Sequence, residues 1–297
     1  MQLLTNEYKG ILYAIASGLS FGLLGYFGVT LMQAHLSVYN MLFWRFVIGA
    51  ITVGFVLIPH YATLFKEPKE AIKVIIYGVL FYSTTTILYF LACQYISTGL
   101  AMVTFFTYPV AVLLLNRIFY KTSIPKSYYL AVALIIIGMV LLGGNDTVTC
   151  DYRGLLLGIA SAVVYAWYII LSKKSTLSPL SSTFMVSIGC IISCSVAAVW
   201  EGSFCIPQGF DVWMKILALG TLCTALPMLL LLKALKYISS EKASLLSVLE
   251  PIFTLFFGVI LLDETVTMVQ MLGIVIVLCG ALVTVLSSSN KKSSVNH

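Results

Sequence analysis

Apolar runs of about 20 residues, the length of helix that crosses the hydrocarbon core of a bilayer, follow one another along nearly the whole chain. Between charged or turn-rich breaks they occupy residues 10–32, 36–58, 71–91, 99–119, 127–142, 154–172, 180–200, 212–232, 243–262 and 266–286. Runs this long satisfy their backbone groups in lipid only as helices, because the strands of a membrane barrel are about ten residues of alternating polarity. The expectation is an all-α integral membrane protein with ten transmembrane helices. Composition agrees: 60% of the residues are hydrophobic and 9% charged, against roughly 25% charged in a soluble domain. The first run follows Lys9 and has the outline of a secretory leader. It is longer than the apolar core of such a leader, lacks a small-residue cleavage site and has a counterpart later in the chain, so it reads as a structural span.

The basic residues follow the membrane. With the N-terminus in the cytoplasm, the inner segments hold Lys9, Lys66, Lys69, Lys73, Arg117, Lys121, Lys126, Lys173, Lys174, Lys233, Lys236, Lys242, Lys291 and Lys292, and the outer ones only Arg153 and Lys215. This excess on alternate loops is the pattern of the positive-inside rule and places both termini inside. Short loops and tails point to a bacterial cytoplasmic (inner) membrane. A nucleic-acid site would gather the net charge of +6 on one face, and the distribution excludes it.

The chain also repeats itself. Tyr95-Ile96-Ser97 recurs as Tyr237-Ile238-Ser239, and the same offset of 142 positions pairs Gly78 with Gly220, Ala92 with Ala234, Ala101 with Ala243, Pro109 with Pro251 and Gly138 with Gly280. Near each start, Gly10-Ile11-Leu12 and Ile15-Ala16-Ser17 resemble Gly154-Leu155-Leu156 and Ile159-Ala160-Ser161 at an offset of 144. The expected organisation is one repeat over 1–145, a second over 146–290 and a cytoplasmic tail over 291–297. Five spans per half is an odd number, so the second half enters the membrane in the opposite direction. Inverted repeats are the architecture of secondary transporters, whose halves rock around a midplane site.

Two ionisable residues lie far from the ends of their spans, Arg45 and Glu250. Charge at that depth costs at least about 2.5 kcal/mol and faces the bundle interior, a partner or a watery path. Each is a candidate for substrate binding or coupling, with a structural ion pair or carbonyl cap as the alternative for Arg45. Glu250 is also a carboxyl that could exchange a proton as access alternates. Pro109 and Pro251 break equivalent helices, and Pro227 breaks the eighth span without a half-1 counterpart. Ala14, Gly18, Gly22 and Gly25 form a smooth stripe echoed by Gly154, Gly158, Ala162 and Ala166, suited to close helix packing. Among many aromatics, Tyr82, beside Thr84, Thr85 and Thr86, and Tyr108, the positional counterpart of Glu250, are the favoured substrate contacts, with Trp44 a further candidate. The cysteines and histidines show no metal-ligand spacing, although Cys150 and Cys205 fall in outer loops where they could pair. There is no phosphate loop and no nucleophile elbow, so no cofactor is expected.

Phe43-Trp44-Arg45-Phe46 in the second span, Leu249-Glu250-Pro251 followed by Asp263-Glu264 around the ninth, and Gly273 with Gly280 in the last together resemble the EamA type of the drug/metabolite transporter superfamily. Half 1 reads Tyr108-Pro109 and Lys121-Thr122 at the corresponding stretch, so the acidic residues of that pattern are carried only by half 2. The resemblance implies a carrier of amino acids, related metabolites or drugs by export or exchange. Import or exchange of an adenosyl or nucleotide-like metabolite stays open within the same superfamily. An intramembrane lipid-modifying enzyme is the alternative from another class, and it lacks the clustered nucleophile, acid or metal ligands it would need. The expected partners are a small-molecule substrate and the lipid bilayer; a homodimer is compatible with the sequence.

Overall fold

The computed structural model describes residues 2–34, 36–60, 67–96, 98–143, 151–262 and 266–290. Cys150, Asp263, Glu264, Lys291 and Lys292, on which several expectations rest, lie outside the described residues. Ten helices are long and apolar enough to cross a membrane by length and composition: α1 (Asn6–Gly28), α2 (Val38–Leu57), α3 (Pro68–Ala92), α4 (Leu100–Tyr120), α5 (Lys126–Gly143), α6 (Tyr152–Lys174), α7 (Pro179–Trp200), α8 (Phe210–Tyr237), α9 (Ser240–Leu261) and α10 (Met268–Leu286). There is no strand among the described residues. This is the expected ten-span all-α membrane protein. Its helices start where a side chain can serve the orphan N–H groups of a first turn. Ser37, Ser178 and Ser239 accept from the backbone N–H groups of Asn40, Ser181 and Lys242, and Asp151 accepts from that of Arg153.

The eighth helix runs past its expected end at 232. Lys233 and Lys236 do not terminate it, because neither ammonium must enter lipid: Lys236 Nζ donates to the Ser175 carbonyl at 2.7 Å, and Lys233 Nζ sits 5.7 Å from the Tyr13 ring centroid.

The halves interlock. α2 packs on α7 and α5 on α10, while α1 crosses over to α8 and α9 and α6 crosses to α3 and α4. Each half's first helix therefore lies on the third and fourth helices of the other half. The Tyr-Ile-Ser repeat is the contact itself. A methyl group at Gly10 would stand 2.7 Å from Ile238 Cγ2 and 2.9 Å from Tyr237 Cβ, and one at Gly154 would stand 2.7 Å from Ile96 Cγ2 and 3.0 Å from Tyr95 Cβ. The small stripes thus serve close packing. Gly22 leaves room for Phe253, and Gly158 for Thr104. In the same way a methyl at Gly138 would meet the Gly273 carbonyl at 2.8 Å, which is how α5 and α10 come together.

The two ends of the bundle differ. At the lysine-rich end, polar side chains tie helices of both halves together. Asn116 Nδ2 in α4 donates to Glu241 Oε1 in α9 at 2.6 Å and to Ser240 Oγ at 3.0 Å. Lys242 of α9 pairs with Glu7 of α1 at 2.8 Å. Lys173 of α6 donates to the Leu235 and Ile238 carbonyls at the end of α8, and Lys236 of α8 returns the contact to Ser175. Cations capping helix C-termini are well placed against the dipole as well as the free carbonyls. Residues 240–249 are buried throughout, whereas in their counterpart, residues 100–107, buried and half-buried positions intermix. At the opposite end Asn40 Nδ2 and Trp44 Nε1 each reach the Cys205 carbonyl at 3.0 Å.

Candidate functional site

Besides a turn at Leu23 in α1, four irregularities interrupt the helices, and these four come in pairs. α3 holds a π-turn at Gly78–Tyr82 and α8 one at Thr221–Ala225. α4 breaks between Thr98–Phe105 and Tyr108–Tyr120, and α9 between Ser240–Ser247 and Glu250–Leu262. Pro109 and Pro251 follow the two breaks immediately, in the first turn of the new segment. A proline is tolerated there because its missing N–H would be unpaired in any case. The two prolines begin helices rather than bending them. Pro227 likewise stands in the first turn after the π-turn of α8. Discontinuous helices around the midplane are where carriers of this architecture bind solute.

The second segments open with Tyr108 in one half and Glu250 in the other. Tyr108 is buried, and its hydroxyl donates at 3.3 Å to the carbonyl of Ser244, one of the last carbonyls of the first α9 segment. Such terminal carbonyls lack intrahelical donors, so the break in α9 is covered by the residue that begins the second segment of α4. The Glu250 backbone carbonyl accepts from Thr254 Oγ1 at 3.1 Å. Its carboxylate makes no hydrogen bond and no ion pair within 4.0 Å among the described residues. The side chain is half-buried rather than sealed. Gly18 of α1 leaves the backbone free to approach: a methyl there would lie 3.5 Å from Glu250 N.

Arg45, in the middle of α2, is 3% exposed. Its Nε donates to Thr224 Oγ1 at 2.6 Å and its Nη2 lies 3.5 Å from the Cys223 carbonyl, both in the π-turn of α8. The Glu250 carboxylate is within electrostatic range of this guanidinium and of Tyr82, Tyr89, Tyr108 and Tyr165. The two charges of the bundle centre therefore lie within electrostatic range of each other without closing into a pair.

An aromatic wall links them. The Arg45 guanidinium carbon is 5.3 Å from the Phe46 ring centroid, and Phe46 is 5.9 Å from Tyr82. Tyr82 meets Tyr168 at 4.9 Å and Tyr165 at 6.2 Å, and Tyr165 stands edge-on to Tyr108 at 4.9 Å. Phe105 lies 5.4 Å from both Tyr108 and Tyr165 and 5.6 Å from Tyr89. These edge-on and tilted contacts are the favoured geometry for rings carrying a quadrupole. Arg45, Glu250, Tyr82 and Tyr108 are thus brought together. Trp44 is not: its ring is 5.1 Å from Trp213 and its N–H holds Cys205, so it secures the segment between α7 and α8.

The sequence reading passed over Thr224, although it is the counterpart of Tyr82 at the 142-residue offset. Ser17 and Ser161, equivalent at the early offset, entered it only as part of the repeat. Ser17 Oγ donates to the Pro227 carbonyl at 2.8 Å, whereas in the other half Thr85 Oγ1 donates to the Ser161 carbonyl at 2.8 Å. The direction reverses because Thr85 has a hydroxyl where the other half has proline. The Ser161 hydroxyl is left buried without a hydrogen-bond partner among the described residues. Cys190 and Cys194 are buried packing residues on α7, and no group of three His, Cys, Asp or Glu among the described residues could hold a metal ion.

The model of the EamA-like transporter family matches residues 8–144 and again residues 152–286. The uncharacterized transporter YxxF of Bacillus subtilis (strain 168) is 22% identical over 295 residues, covering 96% of this chain and 92% of its own. The threonine/homoserine exporter RhtA of Escherichia coli (strain K12) is 26% identical over 217 residues, 69% of this chain and 68% of its own. A solved crystal structure superposes with a TM-score of 0.79 at 17% identity, covering 93% of this chain and 96% of that one, a likeness of fold.

Proposed function

The chain belongs to the EamA-like transporter family, and from that premise we propose that it carries a small amphipathic metabolite of the amino-acid class between its two halves by alternating access. The observation that carries this reading is the unpaired couple at the bundle centre, the Arg45 guanidinium and the Glu250 carboxylate, joined by an aromatic wall. Two opposite charges in a medium of low dielectric attract strongly, so a site that holds them apart is arranged for something between them. A solute with a carboxylate end and an ammonium end complements both, and the tyrosine faces suit its apolar body and any cationic part. RhtA, a named threonine and homoserine exporter, makes L-threonine and L-homoserine the first solutes to try.

Alternation follows from the interlocked halves. In this conformation the lysine-rich end is closed by the Asn116–Glu241 and Lys242–Glu7 contacts, and opening there would separate α4 and α1 from α9. By the distribution of lysine this end faces the cytoplasm of a bacterial cell, with both termini on that side. The protein acts as a carrier rather than an enzyme, with a small solute and the bilayer as its partners. Glu250, without an ion pair among the described residues, couples transport to a proton by gaining and losing one as access changes. The test is solute accumulation in proteoliposomes under an imposed pH gradient, comparing wild type with Glu250→Gln. The glutamine variant loses gradient-driven accumulation while retaining solute-for-solute exchange; unchanged gradient-driven uptake would sink proton coupling through Glu250.

A further inference from the structure

The two π-turns are equivalents, yet only the one in α8 receives a charged side chain. At the offset of 142, Tyr82 of α3 corresponds to Thr224 of α8, so each π-turn delivers one polar side chain to the bundle centre. What faces them differs. Against the start of the α3 turn, at Gly78, α7 presents Gly189, where a methyl group would lie 2.2 Å from the Ile75 carbonyl and 3.0 Å from Gly78 Cα. Against the start of the α8 turn, at Gly220, α2 presents the Ile48 side chain and the Arg45 backbone carbonyl, and the Arg45 side chain reaches on to the turn itself at Cys223 and Thr224.

The α8 turn is built to receive a cation. In an α-helix a carbonyl is engaged by the N–H four residues later, and four residues after Cys223 stands Pro227, which has none. The Cys223 carbonyl thereby lacks the donor a regular helix would give it, and Arg45 Nη2 lies 3.5 Å from it. The Thr224 hydroxyl gives its own proton to the Leu219 carbonyl at 2.8 Å, which turns its lone pairs outward, and Arg45 Nε donates to it at 2.6 Å. Buried hydroxyls and carbonyls that meet a charged donor form the stronger class of hydrogen bond. At the positions equivalent to Cys223 and Pro227, the α3 turn has Phe81 and Thr85, and Thr85 keeps its N–H.

We infer that Thr224 and Pro227 are positioning residues for Arg45: the π-turn and the proline form a two-acceptor socket that fixes the guanidinium in the bundle and leaves Nη1, which makes no hydrogen bond among the described residues, for the solute. Thr224 lies inside the π-turn. Were that turn to relax into a regular helix, one residue of register would be lost, a rotation of about 100°, and the acceptor would leave Arg45 Nε. The guanidinium therefore follows the state of α8, which gives the solute's anionic end a mechanical connection to a helix of the opposite half. That Arg45 serves the solute rests on the proposed function; that Thr224 and Pro227 hold it does not.

The two claims separate experimentally. The chain has three arginines, Arg45, Arg117 and Arg153, so side-chain signals from protein labelled with 15N-arginine in lipid nanodiscs are few, and the signal lost in Arg45→Lys is that of Arg45. Its Nε–H exchanges slowly with solvent in the wild type. Thr224→Val, nearly isosteric and without the hydroxyl, speeds this exchange about tenfold or more, the scale of losing a hydrogen bond to a charged group. Thr224→Ser restores it to near the wild-type rate. Pro227→Ala, which returns an N–H to compete for the Cys223 carbonyl, also speeds it, by a smaller factor, and tests the socket where Thr224→Val fails to fold. Wild-type exchange in both folded Thr224→Val and folded Pro227→Ala overturns the socket. Faster exchange in Thr224→Val with an unchanged half-saturation concentration for the transported solute upholds the socket and removes Arg45 from the proposed solute site.

Discussion

Arg45 and Glu250 were legible in the sequence because an ionised side chain deep inside an apolar run is expensive and must have an interior address. In the structure the two lie within electrostatic range of each other. Glu241 was less legible: the expected span began at 243, so Glu241 and Lys242 read as loop residues, and only the approach of Asn116 and Glu7 makes them interior. Thr224 carried no signal of its own, since a threonine in an apolar helix normally satisfies its hydroxyl on a carbonyl of its own helix. Thr224 does that too, with Leu219, while also accepting from Arg45. The ion pairs can be ranked by their burial. The Lys242 side chain is 3% exposed and that of Glu7 20%, so Lys242→Met removes a buried ammonium from beside a half-buried carboxylate. It costs on the order of 2 kcal/mol, less than the roughly 3–5 of a fully buried pair. Lys73, 60% exposed in its pair with Glu70, is worth almost nothing by comparison, and Lys73→Met changes stability by less than about 0.5 kcal/mol. Thermal unfolding of the two variants in detergent checks the order.

At the scale of the element, the positions of the ten helices follow from hydrophobic length and from their serine and aspartate caps, while their interruptions do not. A π-turn requires no particular residue and inserts a single position into an otherwise regular helix, so neither Gly78–Tyr82 nor Thr221–Ala225 left a trace beyond the paired glycines. Those glycines, by contrast, mark where helices touch. A methyl group at Gly78 would come 2.4 Å from the Val186 carbonyl, and backbone cannot give way as a flexible side chain does. Gly78→Ala therefore destabilises the α3–α7 contact by about 1–3 kcal/mol, the usual cost of overpacking. Gly28, which has no atom within 4 Å of the corresponding position, accepts alanine at less than about 0.5 kcal/mol either way. A lower midpoint for Gly78→Ala together with a wild-type midpoint for Gly28→Ala is the expected pattern; equal midpoints contradict the close approach.

Over the whole molecule, the offsets read along the chain become contacts between its halves. Gly10 against Tyr237-Ile238 and Gly154 against Tyr95-Ile96 are one contact made twice. Repetition was therefore visible in sequence, whereas the crossing of α1 and α6 into the opposite half was not, because identities at a fixed offset do not say which copy a residue touches. The crossing matters for function: neither half can move without carrying a helix that belongs to the other, which favours concerted rocking over independent opening of either side. The symmetry also fails in informative places. Arg45 faces a turn whose equivalent meets Gly189, Glu250 corresponds to Tyr108, and the lysine-rich end is held by the charged and amide contacts of Asn116, Lys242, Lys173 and Lys236 where the opposite end has those of Asn40 and Trp44 with Cys205. A duplicated frame with a single charged centre is suited to one solute site visited from two sides. Solute counterflow in proteoliposomes tests that directly, with labelled L-threonine, L-homoserine and a wider panel of amphipathic metabolites offered against each one loaded inside. The account predicts saturable uptake of at least one solute that accelerates when the same solute waits on the far side. Flux that rises linearly with concentration, indifferent to what is on the far side, would contradict it.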